Sequence, residues 1–80
     1  MLNREATKEE TISAGLDMMS RANPKQQENH AKAIEWIKTL KQVPSTFDPT
    51  TTYNVCLQEW YAIHVKGQPN GTGAYKLETI

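Results

Sequence analysis

The chain has one cysteine, one phenylalanine, four glycines and four prolines in 80 residues, and its nine basic and nine acidic residues cancel to a formal net charge of zero. Each shortage excludes something. A single cysteine rules out an internal disulfide and fits a reducing, cytoplasmic setting. Without net charge there is no global field to draw the chain to phosphate backbones or anionic lipid, so a nucleic-acid role would need a local basic patch. No apolar run approaches the roughly 20 residues that cross a bilayer. Met1 to Glu5, expected to fray, leads into charge rather than into an apolar leader, so no membrane role is expected. His30, His64 and Cys56 lack the spacing of a closed zinc site. Gly67, Gly71 and Gly73 lack the Gly-x-Gly-x-x-Gly order and the following helix of a phosphate loop. No metal or cofactor is expected.

What is present concentrates between Asp48 and Gly67, which holds two of the three tyrosines, one of the two tryptophans and the cysteine. At helical spacing Tyr53, Cys56, Leu57, Trp60, Ile63 and His64 share a face, with Tyr61 at its edge. Asp48 suits the N-cap, Pro49 the first helical position, and Gly67 the left-handed residue past the end. The same stretch also alternates in the manner of a strand, but it is much longer than the usual strand of about 5–6 residues.

Two further helices precede it. Thr7 and Glu10 have the spacing of a capping box, so a helix is expected over Lys8–Ala22 with Ile12, Leu16 and Met19 inward. Gly15 beside that stripe reads as a tolerated small residue, with a close helix approach as the alternative. Asn23-Pro24 forces a tight connection into a second helix, Pro24–Gln42, whose face is Ala33, Trp36, Ile37 and Leu40, flanked by His30 and Ile34. The two prolines in Val43 to Pro49 make the next stretch a crossover, in which Phe47 stands where a hydrophobic staple would.

The fold expected is therefore all-α, a small three-helix bundle in one domain spanning 1–80, with residues 68–80 a loop and a flexible or extended C-terminal tail. The alternative is α+β, two helices packed on a C-terminal hairpin through Asn70-Gly71. The expected core is Ile12, Leu16, Met19, Ala33, Ile37, Leu40, Leu57, Trp60 and Ile63.

Catalysis is not expected. Cys56 and His64 are the most tempting nucleophile–base pairing, but they stand more than two turns apart on one helix. A helix-turn-helix DNA-binding reading rests on Arg21, Lys25, Lys32, Lys38 and Lys41, but Glu28 and Glu35 interrupt that face and the turns lack the usual short glycine form. The reading that remains is a non-enzymatic protein-binding module, a regulator or inhibitor of a larger protein machine. Tyr61 and Tyr75 would be its aromatic anchors and Lys66 a rim charge. A domain this small also leaves room for a symmetric homo-oligomer that covers spare aromatic surface.

Overall fold

The computed structural model describes residues 4–80; the fraying expected of Met1 to Asn3 lies outside the described residues. Three helices form a bundle: α1 Lys8–Arg21, α2 Pro24–Lys38 and α3 Pro49–His64. Among the described residues there is no strand pairing beyond one isolated antiparallel bridge between Leu40 and Thr79, so the hairpin alternative is not the architecture adopted.

The start of α1 follows its capping box. Thr7 Oγ1 accepts from the Glu10 N–H at 3.1 Å, and Glu10 Oε1 accepts from the Thr7 N–H at 3.0 Å. Arg4 then clamps Glu10 with both terminal nitrogens, which ties down a residue expected to fray. Asn23 caps α2 by accepting from the Gln26 N–H at 2.9 Å, with Pro24 in the first turn. Asp48 precedes α3 as expected, but its carboxylate accepts from the Thr51 hydroxyl and caps no backbone N–H.

The α1 face is a correction to the apolar pattern. Leu16 is 48% exposed, whereas Thr11 and Gly15 are buried, so the helix is turned away from the Ile12–Leu16–Met19 stripe. The cause is Tyr53, fully buried on α3, whose ring occupies the space a Cβ on Gly15 would need. Packing the smallest residue against a large ring brings the helices close, and Thr11 tolerates burial because its hydroxyl donates to the Thr7 carbonyl at 2.8 Å. Gly15 is thus a close-approach residue rather than a merely tolerated one.

Helix α2 ends at Lys38, four residues before the expected Gln42. The Leu40 N–H bonds back to Ile37 in a tighter turn, which frees the following backbone to pair with the tail. Lys41 N–H donates to the Glu78 carbonyl at 2.8 Å, and Ile80 N–H donates to the Thr39 carbonyl at 2.7 Å. The tail is therefore extended and docked, with Leu77 packed against the core. That core is centred on Ile34, Ile37, Leu40, Tyr53 and Cys56. Ile12, Met19 and Leu57 lie at its margin, and Ile63 is also only partly buried. Phe47 is 64% exposed and forms no staple; Val43 and the buried Pro44 anchor the crossover instead.

Candidate functional site

The end of α3 sets the site. Gly67 takes the left-handed conformation expected of it, at φ 71°, and the Gln68 N–H donates to the Ala62 carbonyl at 2.9 Å. The chain then doubles back beside α3 and is held there by Glu59. This carboxylate is 2% exposed; it accepts from the Thr72 N–H at 3.0 Å and from the Thr72 hydroxyl. Nothing local in the sequence marks Glu59 for this role. Gly71 packs against it so closely, at φ 61°, that a Cβ there would meet the carboxylate.

The loop so fixed separates two grooves. The larger, about 660 Å³, has Lys25, Gln26, Asn29 and His30 of α2 on one side, Leu57, Gln58 and Tyr61 of α3 on another, and Lys66, Gln68 and Thr72 from the loop. The second, about 600 Å³, runs from Glu59 and Ile63 to Pro69, Asn70 and the tail from Gly73 to Leu77. Thr72 lines the first and Glu59 the second, so their hydrogen bonds form the partition.

Of the expected contact residues, Tyr61 and Lys66 come together in the first groove. Lys66 Nζ lies 5.8 Å from the Tyr61 ring centroid, and Tyr61 is 44% exposed. Tyr75 is 41% exposed but belongs to the second groove, so the three residues do not form one cluster. Trp36 meets His64 edge-on at 5.9 Å and is half-buried; its aromatic area is largely spent on the fold.

The polar groups beneath the first groove are structural. His30 Nδ1 and Tyr53 Oη are 2.6 Å apart, and the rings stack at 5.8 Å. Burial, with the nearby Cys56, pushes the Tyr53 phenol up to about 12, so it stays protonated at neutral pH. Cys56 is fully buried, and its thiol is likewise pushed up to about 12 by burial and by the Glu59 carboxylate. A thiol so protonated is a poor nucleophile. His64 stacks on Trp60 at 5.9 Å with Nδ1 3.2 Å from the Trp60 carbonyl, directed at its own helix and not at Cys56.

The lysines of the DNA-binding alternative do not form a single cationic face. Lys32 pairs with Glu28 at 3.3 Å and Lys38 with Glu35 at 3.1 Å, while Lys25 lines the groove. Among the described residues no three His, Cys, Asp or Glu side chains gather as a metal site would require, and no helix is long and apolar enough to cross a membrane. Comparison with protein-family models, with curated proteins and with solved structures finds no match to this chain.

Proposed function

We propose that the chain is a non-enzymatic protein-binding module, a regulator or inhibitor of a larger protein machine, that engages its partner through the groove between α2, α3 and the loop after α3. The observation that carries this reading is Tyr61, a large aromatic left 44% exposed on the wall of a groove of about 660 Å³, while Tyr53 and Trp60 on the same helix are buried. Aromatic side chains beside a concave surface are the usual anchors of protein interfaces. The amides of Gln26, Asn29, Gln58 and Gln68 around it can both donate to and accept from a partner backbone.

The test is affinity capture on the immobilised chain from lysate of the native cells, with and without nuclease, followed by mass spectrometry and a stain for nucleic acid. The expected result is a protein partner that survives nuclease and is lost with Tyr61→Ala and Lys66→Ala. Phe47→Ala, an exposed residue outside this groove, should retain it. Loss with Tyr75→Ala as well would extend the interface across the Glu59–Thr72 partition. Recovery of nucleic acid alone, or of no partner, overturns the proposal.

A further inference from the structure

Among the described residues nearly all the basic side chains are engaged, and the exceptions fall in one place. Six of its nine basic side chains meet carboxylates: Arg4 with Glu10, Arg21 with Asp17, Lys32 with Glu28, Lys38 with Glu35, and Lys41 and Lys76 with Glu78. Lys8 donates to the Leu40 carbonyl. The two left over, Lys25 and Lys66, come from different elements, one in the first turn of α2 and one past the end of α3, and both line the larger groove. No aspartate or glutamate lines it. A chain with no net charge thus has a groove whose fixed charge is all positive.

Resting on the reading of this groove as a protein-binding surface, we infer that its occupant is an acidic peptide segment. One large apolar side chain of the segment sits against Leu57 and Tyr61, and carboxylates to either side of it meet Lys25 and Lys66. Charge complementarity selects the sign of the partner, and the aromatic wall selects its apolar anchor. A nucleic acid fits less well. Duplex binders typically neutralise about 6–10 phosphates, and this groove supplies two lysines. Its four amide side chains suit a peptide backbone, which presents a donor and an acceptor at nearly every residue.

The experiment is selection of short random peptides displayed on phage against the immobilised full chain, with the leading peptide then measured by fluorescence anisotropy. Enriched sequences are expected to carry at least two Asp or Glu around a Leu, Phe or Trp. Affinity should fall roughly threefold to tenfold with Lys25→Glu and again with Lys66→Glu, and weaken with added salt. It should recover when the peptide carboxylates are exchanged for lysines against the doubly reversed protein. Both lysines are exposed, so far-UV circular dichroism of the variants should match the parent. Enrichment of neutral or basic peptides that still need Tyr61 overturns this inference and leaves the protein-binding reading standing. No enriched peptide, or binding only of a labelled single-stranded oligonucleotide, overturns both.

Discussion

Gly15→Ala would improve intrinsic helix propensity by up to about 1 kcal/mol, yet it is expected to destabilise this protein. The added methyl enters the space of the Tyr53 ring, which is fully buried and held by His30, so neither side can give way freely. Overpacking of this kind costs about 1–3 kcal/mol, which outweighs the propensity gain. Chemical denaturation should show a lower midpoint for Gly15→Ala, and a gain instead in a Tyr53→Leu background where the ring is gone; destabilisation in both backgrounds would refute the contact. Glu10 offers a test in pH. The bond from Arg4, then that from the Thr7 N–H, holds its carboxyl down to about 2 from an ordinary 4.5. A carboxyl depressed by folding stabilises fully above its unfolded value, and the contribution disappears as pH falls from about 4.5 toward about 2. The stability difference between parent and Glu10→Gln should be constant from pH 7 to pH 5 and close below that window, as followed by denaturation at each pH.

At the scale of elements, the loop after α3 depends on one carboxylate. Hydrogen bonds to a charged acceptor contribute about 1.5–3 kcal/mol each. Glu59→Gln is accordingly expected to speed exchange of the Thr72 amide tenfold or more, equivalent to about 1.4 kcal/mol, while amides in the middle of α2 stay protected. The amides of Tyr75 to Leu77 donate no backbone hydrogen bond among the described residues and should exchange fast in both proteins, whereas Ile80 N–H, bonded to Thr39, should not. These elements differ in how far the sequence discloses them. Thr7, Glu10, Asn23, Pro24, Pro49 and Gly67 act within a turn of themselves, so their signals place the helix starts and the end of α3 directly. Lys38 as the end of α2 is not visible locally, because the pairing that replaces the last turn comes from residues about forty positions away. Glu59 is hidden for the same reason: a charged residue within an apolar stripe looks solvated until Thr72 is brought to it. Likewise Tyr61 and Lys66 are legible as neighbours on one helix end, but Lys25 joins them only through the packing of α2 against α3, and Tyr75 leaves them because the partition intervenes.

For the whole molecule, balanced charge has its own consequence. With a pI near 6.7 the chain carries almost no mutual repulsion at neutral pH, and Leu16, Phe47, Val65 and Ile80 present separate apolar surface. Sedimentation is expected to show concentration-dependent self-association near pH 6.7 that recedes at pH 9, where the net charge turns negative. A strict monomer at high concentration at both values would remove a homo-oligomer from consideration. A last consequence belongs to Cys56, the only thiol in the chain, fully buried and holding its proton up to about pH 12. In an opened chain the same group titrates near 9.0, and only that chain offers a thiolate to a reagent. The protein thus contains its own stopwatch. Where reclosing outruns modification, the rate of thiol modification at fixed pH, divided by the rate for the denatured chain, gives the fraction of molecules open at any moment, without an attached dye.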